Sequence, residues 1–386
     1  MKLVGFDCRL AGKARNAGIA RHIESLGECM TQEKLPFGFA FLVNDPMDLS
    51  RMPFLNQGEL LRTRAKHYSF SEQIHLPFEL ARARLALMHF TNFNRPLLCP
   101  VPCVVALHDL TLLNHPARKR TSFLSRWGYR FVVTYSCKKS AAVIVGSHYV
   151  ARQAKSVLGL RQEKIHIIPN GVSSCFHPID DPIRIQDVCH CHGLQPGFLL
   201  YVGQWRKHKN LARLMEAYAL LIRWMEDKSP PLVLVGGDRD DPSYVYVRDI
   251  LKGLDLTRHV YMLGFVPDEE LVALYNAAAL CVYPSLSEGQ GIPPLEAMAC
   301  GTPVVASNAT AIPETVGNAG LLVDPTSPTD IAEAMKTILT QPHVARRLQE
   351  EGPKRASLFR WEDAAKKTLS LYKELLTLQE DRKEKL

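Results

Sequence analysis

No stretch of the 386-residue chain approaches the roughly 18 consecutive apolar residues of a membrane-crossing helix. Its start, Met-Lys-Leu-Val-Gly-Phe-Asp, lacks the apolar core of an export signal. A cytoplasmic protein is expected, touching a membrane at most from its inner face. Paired cysteine spacing is also missing. The ten cysteines are irregularly placed, and Cys8, Cys103, Cys281 and Cys300 fall inside apolar runs, where a free thiol behaves as a small buried hydrophobe. That excludes a disulfide scaffold and fits a reducing compartment. The one tight group, Cys189, His190, Cys191 and His192, has no second pair at zinc-finger distance, so no metal site is expected there. A dinucleotide-type G-x-G-x-x-G turn is absent as well, which weighs against a dehydrogenase.

What the chain does carry is an ordinary globular composition, 46% hydrophobic and 22% charged, at a length that suits two domains. Acid is short in the first half only. Residues 1–190 hold 25 Lys and Arg against 14 Asp and Glu, whereas residues 191–386 hold 22 against 25. The first half is therefore expected to face something anionic, a phospholipid surface or a phosphate-bearing acceptor. The basic residues are scattered among apolar ones with no nucleic-acid-binding motif, so nucleic acid is not expected as a partner.

Short apolar runs alternate with longer amphipathic ones, the pattern of strand–helix units and parallel sheets. Strands are expected near 2–6, 37–42, 87–90, 101–107, 142–145 and 165–168, and again at 198–202, 232–235, 260–263, 280–283, 303–306 and 320–323. Pro178, Asp180, Asp181, Pro182 and Pro196 interrupt the pattern between the sets. The expected division is an N-terminal domain over 1–180, a C-terminal domain over 181–360, and a helix with a charged tail over 361–386.

The most informative segment is YPSLSEGQGIPPLEAMACGTPVVA, residues 283–306. Gly289 and Gly291 allow close backbone approach around Gln290, and Pro293-Pro294 can open a helix with Leu295 and Glu296 in its first turn. Backbone N–H groups and the positive end of a helix dipole would then cradle a phosphate. Glu288 and Glu296, eight positions apart, suit the vicinal hydroxyls of sugar rings on either side of a diphosphate. The plainer alternative makes Glu296 a helix cap and Glu288 a solvated acid. Gly203-Gln-Trp-Arg-Lys-His-Lys-Asn210 follows a strand and sets Arg206, Lys207 and Lys209 in a loop. Such fixed positive charge would stabilise a leaving diphosphate where no metal does so.

These residues resemble the E-x7-E signature of the retaining glycosyltransferases of family 4, and other blocks follow that family's order: YVGQWRKHKNLARLMEAY, LGFVPDEELVALYNAAALCVYPS, HIIPNGV, VVALHDL, GSHYVARQAK and RNAGIARHIESL. The resemblance implies an α/β fold of the GT-B type, two Rossmann-like parallel-sheet domains, with the C-terminal helix crossing back to the first. It implies a metal-independent, retaining transfer from a nucleotide sugar to a glycan or lipid-linked acceptor. By resemblance, Glu296 holds the ribose, Glu288 the donor sugar, and Gly203, Gly289, Gln290, Gly291, Leu295 and Lys209 line the donor site. Arg206 stands in for an arginine the family carries directly after the glycine, where this chain has Gln204. Val266 is assigned to the base and His108 to the reacting sugar. Gly18 and Arg21 are assigned to the acceptor, in a loop that includes Arg15 and Asn16.

The first-half pattern is most like bacterial transferases that build lipopolysaccharide O-chains. GDP-mannose is the donor named first, with UDP-glucose and deoxysugar nucleotides left open. An epimerase or phosphorylase of the same fold, or a non-catalytic sugar-nucleotide-binding subunit, are the alternatives. Asp238-Arg-Asp240 imitates a metal-binding D-x-D and is read instead as a polar turn. The basic and aromatic stretch 118–130 suits a membrane interface as well as it suits a solvated helix.

Overall fold

A computed structural model describes residues 1–12, 17–44, 52–114, 123–238 and 240–384. The chain divides into two compact units, Met1–Gly171 with Arg360–Leu386, and Val172–Phe359.

The first unit holds β1 (Lys2–Asp7), β2 (Phe37–Asn44), β3 (Glu59–Thr63), β4 (Leu87–Phe90), β5 (Cys103–Leu107), β6 (Ala142–Val145) and β7 (Ile165–Ile167) in the parallel order β3-β2-β1-β4-β5-β6-β7. The second holds β8 (Leu199–Val202), β9 (Leu232–Val235), β10 (Val260–Gly264), β11 (Leu280–Tyr283), β12 (Val304–Ser307) and β13 (Leu321–Val323) in the parallel order β10-β9-β8-β11-β12-β13. Central strands such as LVLV and LCVY are apolar throughout because helices cover both faces of a parallel sheet, and every residue of β8, β9, β11 and β12 is buried. Burying each such Val or Leu contributes roughly 1.5–3 kcal/mol. The expected strands are all present within a residue or two. β3, which was not expected, is an edge strand of sequence ELLRT with its first residue exposed.

Helix starts follow local chemistry. Ser69, Ser147 and Ser327 accept a first-turn N–H, and Asp181 and Asp241 do so ahead of a proline at the first helical position. The C-terminal helix Trp361–Glu384 packs in the first unit: Trp361, Leu369, Tyr372 and Leu376 join the apolar cluster of β1, β2 and the helix Ala17–Thr31. Tyr372 Oη hydrogen-bonds His89 Nδ1 at 2.5 Å.

In each sheet the strand order reverses once, between β1 and β4 and between β8 and β11. Neighbouring connections there leave on opposite faces, and the carboxyl ends of the two strands open a crevice where ligands of such folds bind.

Candidate functional site

Two loops leave the carboxyl ends of β8 and β11, on either side of the second reversal point. The first turns at Gly203, whose φ of 150° suits glycine. Here the backbone is crowded, since a Cβ on the facing Gly236 would lie 2.6 Å from the Gly203 carbonyl oxygen. The loop ends in the short turn Lys207–Lys209 and at Asn210, a left-handed residue (φ 65°) that is held in place by its own side chain. Asn210 Nδ2 donates to the carbonyls of Pro284 (3.0 Å) and Pro325 (2.6 Å), and Leu286 N donates to His208 O (2.7 Å), so the two loops are tied together.

That tie brings Lys209 to Glu288. Lys209 Nζ donates to Glu288 Oε1 and to Tyr283 Oη, both at 2.7 Å, and Tyr283 Oη donates to the same carboxylate oxygen at 3.0 Å. Both charged side chains are nearly enclosed, 14% and 13% exposed. Burial pushes the Glu288 carboxyl up, but the Lys209 ammonium outweighs it, and the group ends below its ordinary value. Glu288 N donates to Thr310 Oγ1 (3.0 Å) and Thr315 Oγ1 to Gln290 O (2.6 Å), which fixes the loop backbone.

The helix Ile292–Ala299 starts from Gly291 in the left-handed region (φ 102°). Pro293 and Pro294 carry no N–H, so the donors left at the helix start are those of Gly291 and Ile292. Glu296 stands fifth in this helix, one place beyond the expected first turn, because Ile292 is already helical. It is no cap. It is buried at 2% exposure and accepts a hydrogen bond from Tyr275 Oη at 3.1 Å.

The other donor-site residues divide. Gly203, Lys209, Glu288, Gly289, Gln290 and Gly291 are gathered on the two tied loops. Arg206 is exposed; its carbonyl accepts from Lys209 N at 2.9 Å, but no described contact joins its side chain to Lys209 or Glu288. The side chains of Leu295 and Val266 belong to the apolar core, while Phe265 beside Val266 is exposed. Asp238 Oδ1 accepts from Asp240 N (3.0 Å) and Asp241 caps the next helix, a polar turn as read; Arg239 lies outside the described residues. Of the cysteine–histidine group, Cys189 is buried, Cys191 exposed, and His192 is paired with Glu270.

In the first unit His108 follows β5. Its Nε2 donates to Thr91 O at 2.8 Å, and burial pushes its pKa down, so the ring is neutral at neutral pH with its lone pair on Nδ1. His22 lies edge-on to it, ring centroids 4.9 Å apart, and donates from Nδ1 to Asn170 Oδ1 at 2.8 Å. Three separate sequence blocks, the helix after Gly18, the His-Asp turn and Pro-Asn-Gly, thus meet at one point. Gly18 is exposed with open space around it, and Arg21 is partly buried; Arg15 and Asn16 lie outside the described residues.

Sequence reading missed a second polar group there. Arg9, fully buried, is held by Asp7 (2.6 Å) and Glu72 (2.8 Å), and Asn94 Nδ2 donates to Glu72 (2.6 Å). The signal was the charged pair Asp7 and Arg9 directly after an apolar strand.

Two doubly wound parallel sheets, the second with two tied loops and the start of a helix at its reversal point, define a two-unit α/β protein. The family model described as Glycosyltransferase Family 4 matches residues 18–174, and that described as Glycosyl transferases group 1 matches residues 192–355. The chain belongs to the glycosyltransferases of family 4. It is 40% identical over 181 residues to the O-antigen chain mannosyltransferase B of Escherichia coli, covering 46% of each chain. It is 28% identical over 240 residues to the serotype-specific mannosyltransferase WbdA of Escherichia coli, covering 62% of this chain and 29% of that one. The match thus spans less than half the length of these relatives. Among solved structures, Anabaena HepE in complex with UDP and glucose has the same fold, with a TM-score of 0.75 at 19% identity over 97% of this chain and 100% of that one.

Proposed function

We propose that the chain moves a hexose from a nucleotide sugar, bound on the second unit, to a glycan or lipid-linked acceptor bound on the first, in the synthesis of a surface polysaccharide. The observation that carries this reading is the Lys209–Tyr283–Glu288 cluster at the β8/β11 reversal, beside the glycine loop and the start of the helix Ile292–Ala299. An ammonium with backbone N–H groups suits a diphosphate, and two enclosed carboxylates suit sugar and ribose hydroxyls. The mannosyltransferase relatives favour mannose as the sugar moved, and GDP-mannose is the donor proposed to carry it.

In the proposed step the acceptor oxygen bonds to the anomeric carbon while the bond from that carbon to the diphosphate breaks, its electron pair leaving with the nucleoside diphosphate. The acceptor's proton passes to the departing phosphate oxygen on the same face, which retains configuration without an enzymic nucleophile. Lys209 stabilises the charge that develops on the leaving group without a metal ion. The neutral His108, its Nε2 committed to Thr91, offers Nδ1 to a hydroxyl proton.

Thermal stabilisation by GDP-mannose, UDP-glucose, UDP-N-acetylglucosamine and dTDP-rhamnose, with chelator present, tests the donor site. GDP-mannose is expected to raise the melting temperature of the wild type and not of Glu296→Ala. Silence of the wild type toward all four would sink the reading.

A further inference from the structure

The first unit holds a pair of thiols that sugar transfer does not use. Cys99-Pro100-Val101-Pro102-Cys103 runs into β5, and prolines fix φ at two of the three residues between the cysteines. The pair therefore has little chain freedom to lose on coming together. Its two sulfurs are hydrogen-bonded to each other. Cys99 Sγ also donates to Val101 O at 3.2 Å, and Cys103 Sγ lies 3.6 Å from Ser140 Oγ. Cys99 is partly exposed and Cys103 buried. One thiol thus meets solvent while touching a second that does not.

Cations face the buried member. Arg95, only 3% exposed, hydrogen-bonds Cys103 and donates from Nε to Ser136 O at 3.4 Å. Lys164 Nζ donates to Ser140 O at 2.9 Å and to Lys138 O at 2.8 Å. The helix Phe123–Lys139 takes in the described part of the basic and aromatic stretch 118–130, whose Arg118–Arg120 portion lies outside the described residues. It contributes Cys137, a buried thiol whose pKa burial pushes up to about 12. The hydrogen bond from Cys99 brings the Cys103 thiol down to about 7, with Arg95 assisting against burial, and the same bond holds Cys99 up. The pair thus gives up its first proton near neutrality and keeps its second. A thiolate in contact with an accessible thiol is what resolves a mixed disulfide.

We propose that Cys99 and Cys103 form a reversible dithiol site, oxidised to an intramolecular disulfide by small disulfides of the glutathione type. The proton between them moves to Cys103, and the Cys99 thiolate attacks one sulfur of glutathione disulfide. A Cys99–glutathione bond forms and one glutathione thiolate leaves. The Cys103 thiolate then attacks Cys99 Sγ, closing the bridge and expelling the second. Two electrons pass from the pair to the reagent; the pair's remaining proton and one from solvent end on the two glutathione thiols. In a reducing compartment such a pair rests as thiols and bridges only as the glutathione pool oxidises. The bridge ties down the segment 91–102, which opens at the Thr91 carbonyl that holds His108.

The full chain, reduced and freed of reductant, is incubated with oxidised glutathione across about pH 6 to 9, quenched with iodoacetamide and digested with trypsin. Arg95 precedes Pro96, so both cysteines stay in one peptide, Leu85–Arg118. That peptide is expected to lose two hydrogens, to carry neither glutathione nor label, and to regain two thiols in dithiothreitol. The rate of bridging should level off above about pH 7, whereas that of an ordinary thiol keeps rising to about 8.5. Cys103→Ser is expected to stop at a glutathione adduct on Cys99, with its midpoint moved toward about pH 8.5. The wild-type result needs no variant, so a Cys103→Ser chain that fails to fold leaves the test intact. Wild type that keeps both thiols, a lasting glutathione adduct on wild-type Cys99, or a bridge from either cysteine to Cys137 would each overturn the proposal. The outcome is independent of sugar transfer, because the thiols are followed without donor or acceptor.

Discussion

Lys209 holds the charge of a carboxylate that its surroundings would otherwise neutralise. In the wild type Glu288 sits below its ordinary pKa, so its ionisation adds stability that is present above about pH 4.5 and lost as pH falls through the lowered value. Lys209→Ala leaves burial, the largest influence, opposed only by His208 and the Ser285 hydrogen bond, so the group is expected to rise instead. The pH dependence then reverses: the variant's melting temperature should rise on acidification from pH 7 to 5, where the wild type's does not. At neutral pH the loss is expected at about 1–3 kcal/mol for a pair this enclosed. The proposed transfer should fall by about 10²–10³ in kcat. Circular-dichroism melts across pH and initial-rate assays would check both. A variant whose acid-side slope matched the wild type would mean that the pair does not set the Glu288 charge.

At the scale of elements, the reversal-point crevice depends on glycines at positions other residues do not tolerate. Gly291 has φ 102°, and a Cβ there would lie 2.5 Å from Ile312 Cδ1. Gly291→Ala is therefore expected to destabilise the second unit by about 1–3 kcal/mol and to weaken donor binding by displacing the N–H groups of residues 289–292. Ile312→Val should relieve only the steric part. Titration of Gly291→Ala, Ile312→Val and the double variant with nucleotide sugar would separate strain from contact, and full rescue of Gly291→Ala by Ile312→Val would show that backbone conformation is not the cause. This segment was legible because its chemistry is local: strand, glycines, prolines and acids all fall within 283–306. The central strands were legible for a similar reason, each a short, wholly apolar run. β3 was not, since its sequence ELLRT sets only two apolar residues between Glu59 and Arg62 and shows no such run. His22 was not read as the junction of three blocks because its partner Asn170 lies 148 positions away, and the bond between His89 and Tyr372 spans 283. Such pairings exist only once the sheet order is known.

Taken whole, the molecule has two units with different sensitivities. The first buries His22 and His89 and partly buries His108. Burial pushes all three below the ordinary histidine value, His89 to about 3. A histidine lowered in this way adds stability above the unfolded value near 6.5 that is lost as pH falls below it, up to about 1.4 kcal/mol per pH unit for each. Nucleotide sugar should stabilise the second unit alone. Calorimetry is therefore expected to resolve two transitions, one moving down between pH 6.5 and 5 and the other moving up with GDP-mannose. A single transition answering to both would mean that the units unfold as one.

The path of the chain between the units sets an order of assembly. The second unit is continuous from Val172 to Phe359, while the first is closed by a helix that follows it in the chain. The two crossing points are bonded to each other, Val172 N to Phe359 O at 2.9 Å, and Gly171 runs so near the returning segment that a Cβ would lie 2.2 Å from Trp361 N. During synthesis the second unit can finish as soon as its own residues leave the ribosome. The first, begun earlier, must wait with the surface later covered by Trp361 and Tyr372 open to water and chaperones.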